Sequence, residues 1–198
     1  GPHRRTSPGP VTAGSTTAPS DNDTPAFTLS TTTITVSESG TTATFTAVLG
    51  AEPSSDVVLS ITSADTGETT VSASTLTFTN ANWDTAQTVT VTGIDDALVD
   101  GGQTTAVTIS VVDASSADAY DSVADQTVTV TTSDNDVAAF TLSTTTATVS
   151  ESGTTATFTA VLGAQPSSDV VLPITSADTG ATTVSASTLT FTNANADT

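Results

Sequence analysis

The stretch Gln87-Thr88-Val89-Thr90-Val91-Thr92-Gly93-Ile94-Asp95-Asp96 decides the class of this chain. Its strict valine/threonine alternation puts one side of an extended segment in a core and the other in water. The same period of two predicts strand A at 26 to 36 with a break near Ser30, and strand B at 42 to 49 with Ala43, Phe45, Ala47 and Leu49 on one side. Strand C follows at 56 to 63 (Val57, Leu59 and Ile61 inward), D at 71 to 79 (Leu76, Phe78) and E at 86 to 93 (Val89, Val91). F covers 104 to 112 (Val107, Ile109, Val111) and G covers 125 to 132 (Val128, Val130). Seven short strands without a helical stretch predict an all-β fold, an immunoglobulin-like seven-strand β-sandwich. Trp83 and Tyr120 fall in loops and read as caps over the ends of a thin core.

The pattern occurs twice. At an offset of 113, Phe27 to Thr85 and Phe140 to Thr198 agree at 54 of 59 positions, the differences being Ile34/Ala147, Glu52/Gln165, Ser60/Pro173, Glu68/Ala181 and Trp83/Ala196. Such a unit is too long for a solenoid turn and fits one small domain. The expected organisation is β-sandwich repeats in tandem: a Pro/Ser/Thr-rich leader over 1–25, a complete domain over 26–136, and the N-terminal half of a second over 137–198, truncated before strand E. Ser20-Asp21-Asn22-Asp23 and Ser133-Asp134-Asn135-Asp136 punctuate the joints, and Gly1-Pro2-His3 has the form of a protease scar. The chain reads as a segment of something longer. Completion of the second copy in trans, by strands from another chain, is the alternative to an arbitrary end, and would make a homo-oligomer through the unpaired strands.

Composition narrows the function. Of 198 residues, 21 are Asp or Glu and 2 are Lys or Arg, for a net charge of −19, and no Lys, Arg or His occurs after Arg5. Without cationic side chains the body cannot neutralise phosphates, which excludes nucleic acid and anionic membrane surfaces as partners. Zero Cys and one His, against 49 Thr, remove thiol and most imidazole chemistry, and no apolar run is long enough to span a bilayer.

If successive strands reverse direction, loops AB, CD, EF and the segment after G share one pole. That pole collects Glu38, Asp65, Glu68, Asp95, Asp96, Asp100, Asp134 and Asp136, with no base to offset them. A hard dication with six to eight oxygen ligands would relieve the repulsion, and Ca²⁺ suits carboxylates mixed with Asn and backbone carbonyls. A solvated acidic rim that aids solubility is the other reading.

The string Val36-Ser37-Glu38-Ser39-Gly40, then Leu76-Thr77-Phe78-Thr79 leading to Asn82-Trp83-Asp84-Thr85, the stretch quoted first, and the terminal Ser133-Asp134-Asn135-Asp136 together resemble a Calx-beta repeat. The resemblance implies a seven-strand sandwich binding Ca²⁺ at this pole, in domains found in sodium–calcium exchangers and in arrays in bacterial surface proteins. By motif position it implies ligands Glu38, Asp96, Asp100, Asp134 and Asp136, with Asp95 beside them. The sequence departs from the family pattern at Gln103, where a further acid is usual, and in the CD loop, Ala64-Asp65-Thr66-Gly67-Glu68. Fewer carboxylates imply one weakly bound ion. The second copy keeps Glu151 without the EF and post-G ligands, so no complete site is expected there.

Two Asp-Thr-Gly triplets, at Asp65 and Asp178, are the pattern of an aspartic protease dyad, but each sits in a turn with no apolar strand to bury it. Thr-x-Thr runs could match an ice or glycan lattice; more commonly they are what a soluble strand shows to water. The expected function is structural, not enzymatic: a Ca²⁺-stiffened extender repeat of an extracellular bacterial adhesin or cell-surface fibre, contacting neighbouring repeats of the same protein. The alternatives are a self-assembling fibre subunit completed by strand exchange and a non-catalytic module of a secreted hydrolase.

Overall fold

A computed structural model describes residues 22–196, so most of the expected leader, with Arg4, Arg5 and Gly1-Pro2-His3, lies outside the described residues. The chain is all-β. β1 (Phe27–Leu29), β2 (Thr33–Ser37), β3 (Thr42–Leu49), β4 (Val57–Ser63), β5 (Thr69–Val71), β6 (Thr75–Phe78), β7 (Gln87–Gly93), β8 (Leu98–Val99), β9 (Gln103–Val111) and β10 (Gln126–Ser133) follow in order. One sheet has the order β1-β3-β7-β5 and the other β2-β10-β9-β4-β6. Their inner faces meet to form an immunoglobulin-like sandwich.

Two expected strands are divided between the sheets. Strand A becomes β1, antiparallel to β3, and β2, parallel to β10. Strand D, expected as one run from 71, begins at Thr69 and becomes β5 against β7 and β6 against β4. A serine makes each switch. Ser30 donates its N–H to Thr46 O (3.0 Å) while its Oγ accepts from Thr46 N (2.9 Å), and Ser72 does the same with Thr90 at 2.8 and 2.9 Å. The hydroxyl supplies the last rung of the ladder, freeing the chain to cross over.

The alternating residues enter the core as their period requires: Phe27, Phe45, Leu59, Ile61, Phe78, Val89, Val91, Val107, Ile109, Val128 and Val130 are all buried. Tyr120, expected as a cap, is a buried plug whose hydroxyl donates to Ala51 O at 2.5 Å. Trp83 packs half-buried against the same core. Toward the pole formed by the AB, CD and EF turns the interior becomes polar, with Thr69, Thr105, Thr132 and Glu38 at inward positions.

In the second copy β11 (Phe140–Leu142) pairs with β12 (Ala160–Leu162), β13 (Gln165–Pro166) pairs with β8, and β14 (Val170–Pro173) pairs with β15 (Thr188–Phe191). Phe140 is 53% exposed where its counterpart Phe27 is 2%, and Phe158 is 43% where Phe45 is 1%. Residues 137–196 hold no equivalent of β7, β9, β10 or the Tyr120 loop to cover them. A cavity of about 350 Å³ opens beside Phe140, Leu162, Ala164, Pro166, Val170 and Leu172. Their counterparts Phe27, Leu49, Val57 and Leu59 share the buried cluster with Tyr120 in the first copy.

Candidate metal centre

β2 ends at Ser37, and Glu38 follows directly. The Glu38 N–H donates to Ser133 O at 3.1 Å, tying the AB turn to the end of β10. β7 ends in glycine for a steric reason: a Cβ at Gly93 would stand 2.2 Å from Ser37 O. The absent side chain lets the two strand ends close together, and Gly93 N–H donates to Thr41 O at 3.1 Å. On the opposite side Gly101, at φ +77°, turns its N–H onto Asp134 Oδ2 at 2.8 Å. Asp136 N–H donates to Asp134 Oδ1 at 2.6 Å.

These contacts bring Glu38, Asp134 and Asp136 together: one carboxylate oxygen from each lies within 4.8 Å of the others. Glu38 is 1% exposed. The other three expected ligands surround this triad without joining it. Asp95 Oδ1 accepts from Asn135 Nδ2 at 3.0 Å, so it reaches the cluster through an amide. Asp96 Oδ1 accepts from Leu98 N at 2.7 Å, and the carboxylate still repels Glu38, Glu68 and Asp136. Asp100 lends its backbone N–H to Asp134 and its charge to the field on Glu68.

The charge pattern is uneven. Burial pushes the Glu38 carboxyl above its ordinary value, opposed by the Asn135 N–H and reinforced by Asp134, Asp96 and Glu68. Burial also raises Glu68, helped by Asp100, Asp65 and Asp96, and raises Asp136, helped by Asp134, Asp95 and Asp96. Asp134 goes the other way, because backbone N–H groups of Asp136 and Gly101 hold it ionised. Asp134 is thus the fixed anion about which the others are crowded.

Two buried carboxylate oxygens at this pole, Asp136 Oδ2 and Glu68 Oε2, have no hydrogen-bond partner. Buried polar atoms are ordinarily satisfied. An all-oxygen donor set with orphaned lone pairs and no cationic side chain fits a hard cation, and with neither Cys nor His it does not fit zinc. Glu68, which strand parity assigns to this pole and the family resemblance does not, adds its charge to the field on Glu38. Asn135, which the sequence marks only as part of the linker, bridges both sides, with its N–H on Glu38 Oε2 (3.4 Å) and its amide on Asp95. In the second copy Glu151 lies in an exposed turn.

No protein-family model matches the chain, and no curated protein does. Among solved structures the chain is similar to the ASH/PapD-like domain 7 of human CEP192 (11% identity over 69% of this chain and 99% of that one, TM-score 0.41). It is similar also to the E. coli chaperone DraB (5% identity over 56% and 57%, TM-score 0.41) and to surface layer protein SbsC, domains 1–6 (18% identity over 74% and 18%, TM-score 0.37).

Proposed function

We propose that this chain is a structural, non-catalytic repeat segment of an extracellular bacterial surface fibre or adhesin, whose domains take up Ca²⁺ at the acidic pole and stiffen there. The observation that carries this is the convergence of buried Glu38 with Asp134 and Asp136 at the exit of the domain. Glu38 belongs to the AB turn and the two aspartates to the linker, so an ion held by all three cross-links the domain body to the segment leading to the next copy. Asp95, Asp96, Asp100 and Glu68 supply further charge around it. The bound ion would supply countercharge and coordinate the orphaned oxygens. With few convergent carboxylates, the affinity expected is that of extracellular modules, a Kd of about 0.1–1 mM. The Calx-beta resemblance supports the same pole and the surface location.

Both Asp-Thr-Gly triplets are spent on local turns: Asp65 Oδ1 accepts from Gly67 N and Asp178 Oδ1 from Gly180 N, each at 2.9 Å, and both aspartates are exposed. That supports the non-catalytic reading. Thermal melts in Ca²⁺ and in chelator, with small-angle scattering in both, test the proposal. A higher Tm and a narrower distribution of shapes with Ca²⁺ are expected; identical melts and scattering would end the calcium reading. The exposed Phe140, Phe158 and Val171 favour one second reading, a fibre subunit completed by strand exchange. A concentration-dependent ladder of masses in solution would select it.

A further inference from the structure

The EF loop that carries Asp95, Asp96 and Asp100 also meets the second copy. Within it β8 forms a parallel ladder with β13, Leu98 opposite Gln165 and Val99 opposite Pro166. The Gln165 N–H donates to Ala97 O at 2.7 Å. Pro166 is buried. The Gln165 side chain turns back into its own copy, where Nε2 donates to Asn193 O at 2.7 Å.

The same place in the first copy is Glu52-Pro53, so one of the five differences between the copies falls on this two-residue contact. Asp96 and Asp100 each stand two residues from Leu98, the partner of Gln165, a separation on the order of 8 Å for regular strand spacing and rise. Neither copy offers a basic side chain to offset a carboxylate there. A glutamate would also be unable to donate to Asn193 O.

We propose that β8 is a docking ledge for the repeat that follows, and that the residue before the β13 proline decides whether a repeat docks. Glutamine at 165 permits the ladder; glutamate, as at 52 in the first copy, is repelled by the EF loop. The partner is therefore a repeat of the same array bearing an uncharged residue at this position. An array mixing both kinds has stiff joints and joints that close only when a cation neutralises the EF loop. This rests on the tandem-repeat part of the proposed function and not on its bound ion.

The test is amide hydrogen exchange on the full chain by NMR, in chelator at low salt, comparing the parent with Gln165→Glu and Gln165→Ala. Two carboxylates at about 8 Å in a water-like dielectric predict roughly 5- to 10-fold faster exchange of the residue-165 N–H in Gln165→Glu than in Gln165→Ala. Added NaCl at about 0.5 M should remove most of that difference. Gly163, whose N–H donates to Ala139 O within the second copy at 2.8 Å, reports whether that copy stays folded and should not change. Equal exchange in the two variants, a salt-independent difference, or an unprotected Gln165 amide in the parent would overturn the proposal. If the chelator difference stands but Ca²⁺ fails to restore protection to Gln165→Glu, the docking rule holds and the calcium reading fails.

Discussion

Glu38→Gln should make the domain more stable without calcium and less responsive to it. Glutamine keeps the shape of the side chain and an oxygen to accept the Asn135 N–H, but removes a buried negative charge facing Asp134, Asp96 and Glu68. In chelator the variant therefore melts above the parent. With calcium the order of responses reverses. For a Kd of about 0.1–1 mM, 10 mM Ca²⁺ stabilises the parent by RT ln(1 + [L]/Kd), about 1.4 to 2.7 kcal/mol. At roughly 4 °C per kcal/mol for a domain of this size, Tm rises by about 6 to 11 °C.

Removing one of three convergent ligands should weaken binding at least about tenfold, by analogy with the 10- to 100-fold losses seen even for outer-shell partners. That subtracts about 1 to 1.3 kcal/mol from the calcium gain, a difference of about 4 to 5 °C between variant and parent. The assay is Trp83 fluorescence or calorimetry at matched ionic strength, with Mg²⁺ at equal concentration to separate coordination from general screening of the −19 charge. A variant that melts below the parent in chelator and gains as much from Ca²⁺ would refute the reasoning. The parent's Glu38 carboxylate would then be satisfied without an ion.

Acidification should act with opposite signs in the two conditions. Glu38 and Glu68 are raised above 4.5 and Asp136 above 3.8, so the folded state holds these protons more tightly than the unfolded chain; their destabilising effect is absent below those ordinary values and fully present above the raised folded ones. Asp134, held below 3.8, loses its stabilising contribution only as pH falls through its folded value. Melts in chelator should thus shift upward as pH falls from neutral toward the ordinary carboxylate range, whereas in saturating Ca²⁺ they should shift downward, because bound carboxylates must be ionised. Phe45→Ala, at a site 1% exposed, should cost about 3–5 kcal/mol in urea titrations followed by Trp83, while Phe158→Ala, at the matching site 43% exposed, leaves that transition in place. Gly93→Ala should cost about 1–3 kcal/mol through its clash with Ser37 O and reduce the calcium gain by displacing Glu38, both read in the same melts.

The first sandwich was legible because its period of two is unbroken in β3, β7, β9 and β10, and a half-buried strand has no other way to place those residues. The pole was legible from parity alone, since loop sides follow from strand reversal. The division of strand D was not legible, because Ser72 looks in sequence like any other small strand residue and only its pairing with Thr90 makes it a crossover. β8 was hidden for a related reason. Leu98-Val99 is too short to carry a period, and its partner lies in another copy. The two copies show where local coding ends. Ser143 clamps Thr159 at 2.9 Å as Ser30 clamps Thr46, and Thr154 Oγ1 accepts from Ser150 N at 2.7 Å as Thr41 Oγ1 does from Ser37 N. The turns are reproduced, yet the apolar faces they present stay open, because burial depends on strands far away in sequence.

The cost of the acidic pole and the position of the joint have one physical origin. Crowding Glu38, Asp134 and Asp136 raises the energy of the ion-free domain, which enlarges the fractional effect of any cation that relieves it. The same EF loop carries Asp96 and Asp100 on either side of β8, so two of the charges that load the pole also flank the ladder to the next copy. In the proposed reading a single cation at this pole would lower the energy of the folded domain and, where the next repeat carries glutamate before the β13 proline, that of the contact as well. If the two are separable, a variant such as Gln165→Glu should change interdomain order without moving the Trp83 melt, and Glu38→Gln should move both. Coincident changes in both variants would instead mean that the two copies unfold as one cooperative unit.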